Sequence, residues 1–343
     1  MKSEVVKYIG TWVYLDSVAE QSNFPNNKGN SSTPEFQAVY WRCIVVFFET
    51  SLRFHAKNPG IKHILFTNTE TVPVIDGMDL DAFFKKNDIE VVTLKNKYPL
   101  PQDYFQSFRN QFFEFSIVDF MAEKMDEKDA FLLLDSDCVF NKDFSEVFDQ
   151  LKQHPAATMN MPYEEDYVIH GITRRQMQVL FEEFGLPLKA APFYCGGEIL
   201  LASGAFIKGV AEDFPNMFKT LLDKNDTGKP KFNEEAHALS FYYYKHDAKL
   251  GEMNHYIKRM WTNRNHFRNI EPQDTDLYIW HLPNEKPVGF AGTFDFINNG
   301  GDLANMDEAS YAKFMFNTFL QATNHPLNLP KFLLSKTRKM LQR

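Results

Sequence analysis

Two aspartates one residue apart, set directly after an apolar strand, form a pattern that can hold a hard divalent cation. The run Phe131–Leu134 is continuous rather than alternating, as in a strand buried on both faces, and Asp135-Ser136-Asp137 follows it. In extended backbone, residues i and i+2 point the same way, roughly 7 Å apart. Where the chain bends at the strand's carboxyl end, two such carboxylates can converge on one ion. Mg²⁺ and Mn²⁺ favour octahedral oxygen donors, usually one or two carboxylates completed by phosphate oxygens. The pair therefore suits a departing diphosphate, whose growing charge a Lewis acid stabilises by several kcal/mol. Asp-x-Asp recurs at Asp79/Asp81 and Asp274/Asp276, but neither copy follows a buried strand. The plain alternative for Asp135 and Asp137 is a helix cap or a surface acid pair.

Positioning that pair requires a sheet, and the first half of the chain reads as one. Val5 to Leu15 is a buried strand, and Asp16–Ser31, rich in Asn, Ser and Gly, is a long mobile loop. Ser32 and Glu35 make a capping box with Pro34 in the first turn. Phe36, Val39, Tyr40, Cys43, Ile44, Phe47 and Phe48 then recur at helical spacing, ending before Asn58-Pro59-Gly60. Strands at His63–Thr67 and Glu90–Leu94 flank a short helix near Leu80–Lys85. A second amphipathic helix, with Phe108, Phe112, Phe115, Val118 and Met125 on one side, feeds Phe131–Leu134. Strands separated by helices imply an α/β fold with a mostly parallel central sheet, whose ligands sit outside the strands' carboxyl ends. The second half is less regular. It suggests a strand at Thr158–Met161, a helix at Thr173–Phe184 and a Gly-bearing turn into a strand over Tyr194–Leu201. Helices at 204–223 and 233–245 and strands at Tyr256–Trp261 and Leu277–His281 follow. With no repeat and no clear linker, residues 1–330 are expected to form one domain.

Bulk properties narrow the function. Of 343 residues, 44% are apolar, enough for a sizeable core, and 34 Phe with 14 Tyr imply an aromatic interior. A net charge of −8 argues against a nucleic-acid protein with a broad basic surface, though not against a nucleotide held through a metal ion. Cys43, Cys138 and Cys195, odd in number and unpaired in spacing, suggest reduced thiols. No apolar run reaches the roughly 18 residues of a membrane span, and Glu4 and Lys7 interrupt any signal core. A cytoplasmic protein is expected. Residues 331–343 carry five basic side chains and no acid. They read equally as a solvated terminal helix or as an amphipathic helical tail on an anionic inner-membrane face, at about 1 kcal/mol per Lys or Arg.

The stretch YFQSFRNQFFEFSIVDFMAEKMDEKDAFLLLDSDCVFNKDFSEVF, residues 104–148, resembles the core of retaining GT-A glycosyltransferases, family 8 in particular. Those enzymes have an arginine-bearing helix, a strand ending in Asp-x-Asp, then apolar residues and a short acidic helix. By this resemblance Arg109 contacts the donor. The resemblance continues in order to about residue 290. Phe193-Tyr194-Cys195-Gly196-Gly197-Glu198 sits at a Gly-containing turn beside donor and acceptor, and its Tyr-x-Gly-Gly is nearer to family 6. Asn233-Glu234-Glu235-Ala236-His237 is similar to the Asp-Glu-Ser-His of family 6, where the glutamate at the position of Glu235 lies beneath the reacting sugar. Tyr278 to Pro287 is similar to the family 8 closing motif, which makes His281 the third metal ligand and Lys286 a diphosphate contact. Here the lysine follows the histidine by five residues rather than six, the motif's glycine is missing, and Val288 replaces its tryptophan.

The resemblance implies a GT-A fold, the Rossmann-like fold of nucleotide-diphospho-sugar transferases, with a donor-binding half over about 1–160 and an acceptor-side half over about 161–330. It implies transfer of a sugar from a nucleotide-sugar, UDP by default, to a saccharide or glycolipid acceptor, with retention, as in bacterial surface polysaccharide or lipooligosaccharide synthesis. Asp135, Asp137 and His281 would hold Mn²⁺ or Mg²⁺. Thr11 and Tyr14 at the first strand's end, Arg109, Asp135, Ser136 and Lys286 would meet the donor. Cys195, Gly196, Gly197 and His237 would meet substrate, and Glu234 and Glu235 would act at the reacting carbon. The Asp16–Ser31 loop could close over the donor. Two rivals stand beside this. One is a haloacid-dehalogenase-type phosphohydrolase, which also carries Asp-x-Asp after an apolar strand but near its domain's start. The other is a saccharide-binding protein without catalysis.

Overall fold

A computed structural model describes residues 5–22, 29–105, 107, 109–263 and 268–321. The basic tail at 331–343, and residues 23–28 of the long loop, lie outside the described residues.

Strand β1 (Lys7–Val13) leads through helix α1 (Pro34–Leu52) to β2 (Ile61–Thr67). A two-residue hairpin, β3 (Val74–Ile75) and β4 (Met78–Asp79), precedes α2 (Leu80–Lys86) and β5 (Ile89–Thr93). Helix α3 (Phe113–Lys124), β6 (Ala130–Leu134), β7 (Cys138–Phe140) and β8 (Ala156–Ala157) follow, then α4 (Arg174–Glu183), β9 (Ile199–Ser203), α5 (Gly204–Asp226) and α6 (Glu235–Lys245). Strands β10 (Ile257–Arg259) and β11 (Ile279–His281) and helices α7 (Ala291–Asn298) and α8 (Glu308–Met315) complete the order. The main sheet runs β5-β2-β1-β6-β9-β8. Its first four strands are parallel, and β9 and β8 are added antiparallel. The α/β class with a mostly parallel sheet flanked by helices is the one observed.

Side chains of β6 explain its unbroken apolar run. Ala130, Leu132 and Leu134 pack on one face with Trp41, Phe47 and Phe48 of α1. Phe131 and Leu133 pack on the other with Phe115 of α3 and Phe214 of α5. Each such aromatic or aliphatic side chain contributes about 1.5–3 kcal/mol by leaving water, so neither face tolerates a polar residue.

Several boundaries differ from the sequence expectation. Thr33, not Ser32, caps α1, its hydroxyl accepting from the Phe36 amide, because Pro34 takes the first helical position. Helix α3 begins at Phe113, so Arg109 stands in a preceding turn closed by the Phe113 amide on the Asn110 carbonyl; Phe108 lies outside the described residues. The strand expected at Thr158–Met161 is instead Ala156–Ala157, since beyond it the chain makes only a single bridge, Asn160 to Cys195. All three cysteines are buried and unpaired. Among the described residues no helix is long and apolar enough to cross a membrane.

Candidate active site

The site forms where the main sheet gives way to a smaller one. β6 ends at Leu134, paired with Ile199, and the next amide, of Asp135, donates to the Glu198 carbonyl at 3.1 Å. After two more residues the chain enters β7, the edge of a three-stranded sheet ordered β10-β11-β7. There Cys138 pairs with His281, and the Leu282 amide donates to the Asp137 carbonyl at 2.9 Å. Strand register thus sets His281 beside Asp137, although 143 residues separate the two in sequence.

The His281 Nε2 atom lies 3.2 Å from Asp137 Oδ1 and 3.5 Å from Asp135 Oδ2. One donor atom from each of the three falls within 4.8 Å of the others. Adjacent donors of an octahedral ion with bonds near 2.1 Å lie about 3 Å apart, so two carboxylates and an imidazole at this spacing fit Mn²⁺ or Mg²⁺. Lys286, in the helical turn after β11, pairs with Asp137. Burial alone would raise the Asp137 carboxyl, but Lys286 and His281 outweigh it and hold it well below the carboxylate range. Burial would likewise depress His281, yet Asp137 and Glu198 lift its imidazole to about 9.

A second acidic group sits along the same cleft under the opposite electrostatics. Glu234 caps α6 and is 3% exposed; its Oε1 accepts from the Tyr194 hydroxyl at 2.6 Å, and its Oε2 lies 3.1 Å from His170 Nδ1. Burial raises the Glu234 carboxyl to about 7, against the opposing Tyr194 hydrogen bond and Arg259 charge. Glu235, first residue of α6, is raised well above the usual range by burial and then by Glu234 and Glu114, and its Oε2 has no hydrogen-bond partner. Glu114 of α3, buried, is raised by its surroundings and by Asp135.

Glycines 196 and 197 serve these carboxylates. A Cβ at Gly196 would overlap the Glu198 carboxylate, and one at Gly197 the Glu235 carboxylate. Their missing side chains admit acids of the protein itself, rather than only a ligand as the sequence suggested.

A cleft of about 390 Å³ joins the two groups. Tyr14, Asp135, Ser136, Asp137, Gly197, Glu234, Glu235, His281 and Lys286 line it. Five other candidates do not. Thr11 is wholly buried within β1, and Trp12 to Asp16 reach the cleft instead. Arg109 is displaced by the late start of α3, and the neighbouring Asn110 and Gln111 face the cleft. Gly196 lies just beneath the lining, as the chain turns under Met159 and Glu198. Cys195 is buried against Asn160. His237 lies one helical turn behind, with Nε2 3.7 Å from Glu234. Sequence reasoning missed Glu198, Arg259, His170 and Glu114. Only Glu198 lay within a noted motif; Arg259 and Glu114 read as ordinary residues of a strand and a helix. The hydrogen bonds of the long loop's described ends converge on Asp16, which accepts from the Ser22 amide at 2.9 Å and from Asn110 at 2.6 Å.

No family model and no curated protein matches the chain. Among solved structures, the WbbM bifunctional glycosyltransferase aligns with a TM-score of 0.50 and 12% identity, over 82% of this chain and 46% of that one. The chain has the fold of part of WbbM. It thus spans less than half of that protein. The galactosyltransferase LgtC, crystallised with donor and acceptor sugar analogs, aligns at 0.47 with 12% identity, over 80% of this chain and 86% of its own. Mouse xyloside xylosyltransferase 1 aligns at 0.45 with 12% identity, over 80% of this chain and 97% of its own. The α/β fold with a mostly parallel central sheet expected from the sequence is met, and it is shared with part of WbbM.

Proposed function

We propose that the chain is a divalent-metal-dependent glycosyltransferase, moving a sugar from a nucleotide-sugar, UDP by default, to a saccharide or glycolipid hydroxyl. One observation carries this reading: Asp135, Asp137 and His281 converge at one end of a cleft whose walls also hold Lys286 and Glu235. Bound there, Mn²⁺ or Mg²⁺ would supply Lewis-acid stabilisation of the leaving diphosphate.

The chain's own residues supply the rest. Lys286 gives up Asp137 and turns its ammonium to the diphosphate oxygens. Trp12 and Tyr14 at the end of β1 form the wall that meets the base or ribose. Asn110 and Gln111 take the donor-side place expected of Arg109. The acceptor oxygen bonds to the anomeric carbon as the bond to the diphosphate breaks; the electron pair and the hydroxyl proton leave with the nucleoside diphosphate. Glu235 stabilises the oxocarbenium-like charge, and retention follows if it lies beneath the sugar. Its ionisation is opposed first by burial, then by Glu234 and Glu114, and least by Asp135, whose neutralisation by a cation would favour the ionised carboxylate slightly. In this reading residues 1–330 act as one catalytic domain, with the donor on the 1–160 side and the acceptor on the 161–330 side. The 331–343 tail would hold it peripherally at an anionic inner leaflet.

The test is a panel of nucleotide-sugars assayed with Mn²⁺ or Mg²⁺ for nucleoside-diphosphate release, with and without simple saccharides. Release from at least one donor, abolished by EDTA and restored by excess metal, is expected. Phosphate release from generic phosphoesters, or donor binding without turnover, would instead favour one of the rivals.

A further inference from the structure

We infer that Glu198 is a positioning residue for the metal site, fixing the His281 imidazole from behind, with Arg259 fixing Glu198 in turn. The inference rests on the metal-dependent reading above. Glu198 Oε1 lies 3.2 Å from His281 Nδ1, on the ring edge opposite the nitrogen that faces Asp135 and Asp137. The same carboxylate accepts from Arg259 Nε at 2.7 Å and from its terminal nitrogen at 2.5 Å, a two-pronged pair. Its side chain has no exposure at all, and the Arg259 side chain keeps only 18%. Lys286, Asp137, His281, Glu198 and Arg259 therefore form one line of polar contacts across the cleft floor.

The backbone is built to admit this group. Arg259 and His281 are register partners on adjacent strands β10 and β11, so their side chains rise together. Glu198 precedes β9, and its carbonyl accepts from the Asp135 amide. Gly196 leaves the space that the Glu198 carboxylate fills. A carboxylate brought to this place at the cost of a neighbouring side chain has one ligand-side consequence. It would hold Nδ1–H as a donor and leave the Nε2 lone pair available to a cation. Outer partners of this kind typically change metal affinity by 10–100-fold when removed. Arg259 engages both Glu198 oxygens, which would keep that carboxylate from serving as a further ligand.

The experiment measures Mn²⁺ binding to the purified protein by calorimetry and by Mn²⁺ EPR, with no sugar present. Glu198→Gln is expected to bind Mn²⁺ about 10–100-fold more weakly than wild type while still giving a cooperative melt. A Glu198→Gln dissociation constant within twofold of wild type overturns the inference and leaves the transferase reading standing. Absence of Mn²⁺ and Mg²⁺ binding by wild type sinks both. Should the variant fail to fold, ¹⁵N-histidine NMR of the wild type with Mg²⁺ decides. Protonated Nδ1 with bare Nε2 at His281 supports the inference, and the reverse tautomer refutes it.

Discussion

Asp137, at the Asp135–Asp137–His281 corner, and the glutamate pocket share one cleft, yet their buried carboxyls are shifted in opposite directions. At the corner, Asp137 is closed in by Lys286 and His281 and held strongly acidic. In the pocket, burial dominates Glu234 and Glu235, and both are pushed up. Burial acts on all of these acids; Asp137 differs in having both Lys286 and His281 in direct contact, which outweighs it, whereas at Asp135 and Glu234 the nearby positive charge does not. An ionised Asp137 is suited to meeting a divalent ion, although Asp135 is raised to about 6 by burial and by Asp137, and His281 must lose a proton to bind one. A reluctant carboxylate is suited to becoming charged only when positive charge develops next to it.

The most direct way to break this contrast is Asp137→Asn, which removes a donor and leaves Lys286 unpaired. Transfer is expected to fall at least a thousandfold, equivalent to about 4 kcal/mol of lost stabilisation, measured as nucleotide release under saturating Mn²⁺. Retention of a tenth of wild-type turnover would refute the corner's role. Next comes Glu235→Gln, isosteric but unable to ionise. A loss of 100–1,000-fold in kcat with little change in Mn²⁺ affinity is expected, separating the pocket from the corner; parallel losses in both would merge them.

A pH series sharpens the comparison. The Glu234 carboxyl rises in the fold from 4.5 to about 7. Between those values the folded chain holds more protons than the unfolded one, so stability falls as pH rises through the window and levels off above it. The drop from Glu234 is about 3 kcal/mol at most, read as urea midpoints at pH 5 and pH 8. Glu234→Gln should flatten the profile, and an unchanged slope in that variant would show that the strain lies elsewhere. The smallest effect is predicted for Thr11→Val. Thr11 sits inside β1 away from the cleft, so transfer should stay within twofold; a tenfold loss would return it to the donor site.

Legibility in the sequence followed the range of the forces involved. The strand before Asp135, its burial on both faces and the metal chemistry of Asp135 and Asp137 rest on local pattern, and the structure brings these residues together. Tyr14, Ser136 and Lys286 were also found at the cleft. Arg109 lies off the cleft because turns, rather than the helix its spacing predicts, occupy the residues before Phe113. Thr11 lies off the cleft because it is buried inside β1, and only the residues beyond it reach the site. Glu198 falls within the Gly-bearing turn, yet nothing in that turn shows that its side chain lies under a histidine 83 residues later. His170, in a left-handed backbone conformation with φ of 45°, gave no sign at all.

By itself, the sequence determined what depends on neighbours along the chain: apolar runs, alternation of strands with helices, and two acids at a strand's end. Only the tertiary structure decided which charges stand together. The pairing of β11 with β7 brings His281 to Asp137, and the pairing of β9 with β6 brings Glu198 beneath it. An acid's strength depends on burial and on charges within a few ångströms. Those distances are fixed by strand register, which no spacing within the sequence records.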